Sequence, residues 1–176
     1  MPELWELRDA EKRPTGKVIC RGDRIPDGYW HIIVTIWTVT ADGCLLLTRR
    51  HPGKHWGQMW EGTGGSVLAG EGSLQGALRE LREETGLCAN PTRVHLLSSE
   101  RTESLFLDNY LYLCPECKPV LTLQPEEVTE ARFVSLSEMD GWLDLLCPPA
   151  RARYLRDRPE IESAAKACEQ AWRAGI

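Results

Sequence analysis

The chain has no apolar run approaching the roughly 20 residues that a membrane-spanning helix needs. No segment therefore reads as a membrane span. It also has no run of lysines and arginines. Its 21 basic residues stand against 26 acidic ones, giving a net charge of −5 and a pI near 5.5. Binders of duplex nucleic acid show a basic face, so a duplex partner is not expected. A small anionic ligand needs only a few local cations and stays open. The opening residues, MPELWELRDAEKR, are charged from the start and lack the apolar region of a secretion signal. A cytoplasmic location is expected. There is no internal repeat and no low-complexity segment. Paired cysteines are missing too: seven, an odd number, are scattered at positions 20, 44, 88, 114, 117, 147 and 168. In a reducing compartment they are expected to be mostly buried thiols. Cys114 and Cys117 have half of a zinc-site spacing, with no second Cys/His pair to complete it.

What is present suits one domain with a sizeable core: 176 residues, 42% hydrophobic and 27% charged. Residues 4–8 and 17–21 read as a hairpin around the polar EKRPTG. WHIIVTIWTVT, residues 30–40, is rich in β-branched and aromatic residues and reads as a core strand. Ala41-Asp42-Gly43 is a turn, and CLLLTRR is the partner strand. HPGKHWGQMWEGTGG reads as a loop with a short strand near Met59 to Glu61. Residues 73–85 read as a helix, with Ser73 as N-cap and Gly86 as its stop. Strands are expected near 93–103, 105–114 and 128–135. A short helix from Ser135 or Ser137 through Leu146 comes next, then a break at Pro148-Pro149 and a final helix over 160–173. This mixture predicts an α/β or α+β sandwich.

The stretch GSVLAGEGSLQGALRELREETGL, residues 65–87, holds four glutamates. On a helix turning about 100° per residue, Leu74, Leu78 and Leu81 fall within about 60° and form a buried stripe. Glu80, Glu83 and Glu84 share a separate arc of about 100°. Like charges so placed destabilise a helix by roughly 0.2–0.5 kcal/mol per pair. They also oppose the macrodipole late in the helix. Two readings follow. One is a solvated acidic face, balanced by Arg79 and Arg82. The other is a divalent-cation site, since Mg²⁺ takes carboxylates together with substrate phosphates. The glycines of Gly62-Thr63-Gly64-Gly65 let backbone approach a ligand closely and favour the second reading.

Gly65, five residues, Glu71, seven residues, then Arg79-Glu80-Leu81-Arg82-Glu83-Glu84-Thr85-Gly86-Leu87 resembles the Nudix box with no position missing. The resemblance implies a Nudix-type α/β/α sandwich with a mixed sheet over roughly residues 28–146. Residues 1–27 would be an N-terminal hairpin extension and 147–176 a C-terminal helical extension. It implies Mg²⁺- or Mn²⁺-dependent hydrolysis of a nucleoside diphosphate derivative or related organic diphosphate. By the same resemblance Glu80 and Glu84 bind metal, Glu83 assists, and the Gly64 carbonyl is a further ligand. Arg79 would orient the glutamates, and Glu71 would hold the loop–helix geometry. The family places its general base in the box, which makes Glu83 a candidate, or in a later loop. Glu126 and Glu127 lie in such a loop, and Glu127 is the one assigned.

Arg49, Arg50, Lys54 and His55 are candidates for phosphate binding, arginine pairing with phosphate in bidentate fashion. Trp56 and Trp60 are expected to pack under their loop rather than stack on a base. LWELRDAEKRPTGKVICRG followed by YWHIIVTIWTV also resembles the opening of the isopentenyl-diphosphate isomerase branch, with His31 at that branch's histidine. Those isomerases carry a cysteine just before the box and a histidine soon after it. Here the stretch is Glu61-Gly62-Thr63-Gly64, with no histidine between Trp60 and Glu71. Hydrolysis is favoured over isomerisation. A non-catalytic ligand-binding module of the same fold is the remaining alternative. The final helix is free to pack on its own domain or against a second copy as a homodimer.

Overall fold

The computed structural model describes residues 2–175. Its hub is β3 (His31–Val39), in which every residue but Ile33 is buried. A strand covered on both faces needs no polar alternation, and HIIVTIWTV has almost none. β3 pairs in parallel with β8 (Leu105–Leu113), in continuous register from His31 opposite Leu105 to Val39 opposite Leu113. β7 (Val94–Arg101) runs antiparallel outside β8. The other edge of β3 is shared. Thr38 and Val39 pair with β4 (Leu45–Arg50), and Ile33–Ile36 pair with β6 (Thr63–Ser66). β4 also carries β5 (Trp60–Glu61) and β9 (Val128–Val134). The sheet is therefore mixed, as expected.

β6 corrects the sequence reading: Thr63-Gly64-Gly65 is strand, not flexible loop. The glycines are there for proximity. A Cβ on Gly62 would come within 2.7 Å of the Trp37 ring, and one on Gly64 within 2.2 Å of the Val34 carbonyl oxygen.

Helices cover both faces. α1 (Ser73–Thr85) buries Ala77 and Leu81 against Ile32, Val34, Ile36 and Phe106, with Leu74 and Leu78 half-buried beside them. Its N-cap is Gly72, not Ser73; the Gln75 side chain accepts a bond from the Gly72 N–H at 2.8 Å. Ser73 is thereby freed to donate to Asp108 and to accept from Tyr110 at 2.9 Å. Gly86 ends the helix as expected, in the left-handed region at φ 77°.

The C-terminal reading also needs correction. α2 is one turn, Met139–Trp142. Pro148 and Pro149 do not break a helix but begin one, α3 (Pro148–Arg173). Proline suits the first helical positions because their N–H groups have no intrahelical partner. Ala150, Tyr154, Ile161 and Ala165 of α3 are buried with Trp37, Leu45 and Leu47. The stretch expected as an extension therefore supplies the second outer layer of an α/β/α sandwich.

β1 (Leu4–Arg8) and β2 (Pro14–Cys20) form a separate antiparallel ribbon, β2 starting three residues earlier than expected. Leu7 is buried beneath it, and the Leu4 carbonyl accepts from Ala69 N–H at 2.8 Å. The cysteines do not follow the expectation of burial. Cys114 and Cys147 are buried, Cys20 and Cys88 are exposed, the other three are intermediate, and all seven are free. Among the described residues no helix is long and apolar enough to cross a membrane.

Candidate active site

The strand-to-helix passage from β6 to α1 is organised by Arg79. Its Nε donates to Glu71 Oε1 at 2.8 Å, and Nη2 donates to the Ser66 carbonyl at 2.8 Å. Nη1 reaches Glu80 Oε1 at 3.0 Å and Glu83 Oε2 at 2.8 Å. Glu71 in turn accepts from the Leu68 N–H at 3.0 Å, closing the loop before the helix. Burial works against the Arg79 charge, but the bond to Glu71 and the pull of Glu80 and Glu83 outweigh it and hold its pKa above the ordinary value. Arg8 of the ribbon, unremarked in the sequence, donates to the Glu71 carbonyl at 2.9 Å.

α1 turns Glu80 and Glu84 toward β6. Gly65 makes room, since a Cβ there would stand 2.3 Å from Glu80 Oε1. Burial raises the Glu80 pKa against the opposing pull of Arg79. Glu84 is 2% exposed, so it is not part of a solvated acidic face. Burial pushes its pKa well up; Lys54 opposes this, and Glu61, Glu80 and Glu127 add to it. Its Oε1 lies 3.8 Å from Lys54 Nζ, and its Oε2 has no partner.

Lys54, in the β4–β5 connection, also pairs with Glu127. The Glu127 carbonyl accepts from the His51 N–H at 2.9 Å, which ties the two loops together. Gln124, which no sequence signal marked, completes the wall beside them. The result is a cleft of about 70 Å³ whose lining includes Lys54, Gly64, Glu80, Glu83, Glu84 and Glu127.

Not every expected residue arrives. Arg49 and Arg50 are consecutive on β4, so they point to opposite faces of the sheet. Arg50 pairs with Glu61 in a cavity next to the cleft. Arg49 instead donates to the Gln58 carbonyl at 3.0 Å, in a separate groove with Glu130 and Trp142. The reading of Arg49 as a phosphate contact in the cleft is corrected on that ground. Glu126 is exposed and is not part of the lining. His31 is buried and stacked on Trp5, ring centroids 4.1 Å apart. Trp60 packs against Trp142 as expected, whereas Trp56 is 39% exposed at the rim of the second cavity. Among the described residues Cys114 and Cys117 join no third His, Cys, Asp or Glu that would make a metal site.

Among the described residues no three acidic, His or Cys side chains are drawn together as a cation cage. Arg79 holds Glu80 and Glu83, and Lys54 holds Glu127. The residues nevertheless fit a divalent cation. The donors are carboxylates, the choice of a hard cation. A buried carboxylate oxygen without a partner is costly and calls for an explanation, and Glu84 Oε2 is such an atom.

The NUDIX domain family model matches residues 30–157. The chain belongs to the Nudix family of hydrolases. An uncharacterized Nudix hydrolase of Listeria monocytogenes is 33% identical over 142 residues, covering 79% of this chain and 83% of the relative. The structure of the Deinococcus radiodurans protein DR0079 superposes with a TM-score of 0.70 at 19% identity, covering 88% of this chain and 98% of that one. A bifunctional NMN adenylyltransferase/ADP ribose pyrophosphatase of Francisella tularensis, solved with AMP and a manganese ion, has a TM-score of 0.59 at 16% identity. The match covers 80% of this chain and 44% of that one. At these identities the two solved structures establish the fold of this Nudix hydrolase and nothing finer.

Proposed function

We propose that this Nudix hydrolase cleaves the diphosphate linkage of a nucleoside diphosphate derivative or related organic diphosphate, with Mg²⁺ or Mn²⁺ as cofactor. The observation that carries the reading is Glu84, a buried carboxylate with an unpartnered oxygen that lines the same cleft as Glu80 and Glu83. Glu80 and Glu84 would hold the cation, with Glu83 and the Gly64 carbonyl as further ligands. Bound there, the ion supplies charge neutralisation to the diphosphate and acidity to water. Arg79 keeps Glu80 and Glu83 oriented through its fork of bonds. Lys54 turns from Glu127 to a substrate phosphate, and Glu127, released from its ion pair, accepts the proton of the attacking water. The Francisella protein's name and its AMP and manganese support a nucleotide-type substrate and a divalent ion by kinship of fold.

Phosphomonoester formation, read as phosphate freed by added alkaline phosphatase, is the test on nucleotide sugars and ADP-ribose, and direct product chromatography on oxidised nucleotides and isoprenoid diphosphates, each with and without Mg²⁺ or Mn²⁺. Turnover is expected only with metal. Glu84→Gln keeps the volume and removes the charge. It is expected to lower turnover about 100-fold or more, beyond the 10–100-fold typical of losing an outer-shell partner. Unchanged turnover in Glu84→Gln would remove Glu84 from the site. Tight ligand binding with no turnover on the whole panel would favour the ligand-binding module.

A further inference from the structure

A second cavity, of about 230 Å³, adjoins the glutamate cleft and shares Lys54 and the Gly64–Ser66 segment with it. Its charges are unevenly matched. Arg50 is paired with Glu61, Lys54 with Glu127, and Arg21 with Glu3 at 2.8 Å. Arg153, from the second turn of α3, lines the cavity and, among the described residues, is in no ion pair. Its Nη1 donates to Thr35 Oγ1 at 2.8 Å. A guanidinium has five N–H donors in a rigid fork, so most of its capacity is left for something else. Glu61 is already engaged, by Arg50 at one oxygen and by Cys147 Sγ at 3.7 Å from the other. Burial strips water from Arg153 and pushes its pKa below the ordinary arginine value, with Glu61 pulling the other way. It stays charged at neutral pH.

A desolvated charge without a counter-charge is expensive, and a cavity beside it is where an anion compensates. We propose that this cavity is a second anion subsite, in which Arg153 binds a phosphate or carboxylate oxygen of the substrate while the scissile diphosphate lies over the glutamate cleft. The inference rests on the reading of that cleft as a diphosphate-hydrolysing site. Two features pre-set the geometry. Thr35, on the hub strand, aims the guanidinium. Tyr154, the next residue of α3, is fully buried edge-on against Trp37 at 5.8 Å and fixes the helix. Trp56 adds an exposed aromatic surface at the rim for a ring or sugar.

Isothermal titration of inorganic pyrophosphate in EDTA separates the subsite from the metal chemistry. The wild-type protein is expected to bind. Arg153→Met is expected to bind about tenfold or more weakly, the scale of a charge-assisted pair, with Arg153→Lys in between. Glu84→Gln is expected to retain binding while losing turnover. Equal affinity in Arg153→Met and wild type overturns the subsite, even if the panel shows hydrolysis. Weakened binding in Arg153→Met without any hydrolysis leaves the subsite standing and removes the hydrolytic reading. Matched substrates then locate the oxyanion. If it is an added acid group, Arg153→Met raises KM for UDP-glucuronate more than for UDP-glucose. If it belongs to the diphosphate, both rise equally. Wild-type protein offers a check free of folding effects. Pyrophosphate is expected to slow phenylglyoxal modification of Arg153, read by peptide mass spectrometry. Equal rates with and without it overturn the assignment.

Discussion

Two neighbouring glycines of β6 resist substitution for different reasons. At Gly65 an added Cβ meets Glu80 Oε1, the tip of a side chain that can swing away. Gly65→Ala is therefore expected to leave stability within about 1 kcal/mol and to lower turnover about 10–100-fold by displacing the carboxylate. At Gly64 the obstacle is the Val34 carbonyl, backbone within the β3–β6 pairing. Gly64→Ala is expected to cost about 1–3 kcal/mol of stability. Urea unfolding and metal-dependent turnover on the same preparations separate the two. A stable but inactive Gly64→Ala, or an unstable Gly65→Ala, would reverse the assignment. At this scale, legibility followed locality. Glu80, Glu83, Glu84 and Arg79 share two turns of one helix, so their spacing displays them. Arg153 and Gln124 reach the same region from distant segments and leave no local pattern. Arg49 failed because strand alternation separates adjacent residues.

Among the elements, α3 carries the clearest consequence. Its buried residues, Ala150, Tyr154, Asp157, Ile161 and Ala165, fall at helical spacing. They are interleaved with so many charges that the stripe is faint in sequence, and two prolines at its start mimic a break. β6 was missed for a related reason, glycine being a poor strand former unless close packing demands it. The strands around β3, β4 and β8 were readable from β-branched and aromatic runs. Ile161→Ala is expected to destabilise the protein by about 2–5 kcal/mol, as for a fully buried aliphatic residue. Leu155→Ala, on the exposed side of the same helix, is expected to change stability by less than about 0.5 kcal/mol. Similar urea midpoints for the two variants would mean that α3 does not pack on the sheet in solution.

At the scale of the whole molecule, the ribbon of β1 and β2 is linked to acidity through His31. This histidine is 1% exposed, both ring nitrogens lack partners, and Trp5 of β1 stacks on it. Burial, with Arg8 and Arg21 adding to it, lowers its pKa from 6.5 to about 4. The folded state therefore prefers the neutral ring. Its stabilising contribution is complete above about pH 6.5 and is lost as pH falls toward about 4. By linkage the loss amounts to about 3 kcal/mol. Burial of Glu80 and Glu84 acts with the opposite sign as pH falls, so the reading is the difference: from pH 7.5 to 4 the urea midpoint is expected to shift downward more in the wild type than in His31→Phe. Parallel curves for the two proteins would exclude His31 as the source. The parallel pairing of residues 31–39 with 105–113 has a kinetic corollary. It closes a long loop that contains all of β4, β5, β6, α1 and β7. Contacts between remote parts of a chain are slow to form. During synthesis the hub strand must wait, unmated on that edge, until β8 has emerged. The carboxylate helix follows β3 and β6, on which it packs, into existence, but Phe106 of β8, which closes the same apolar layer, arrives only afterwards.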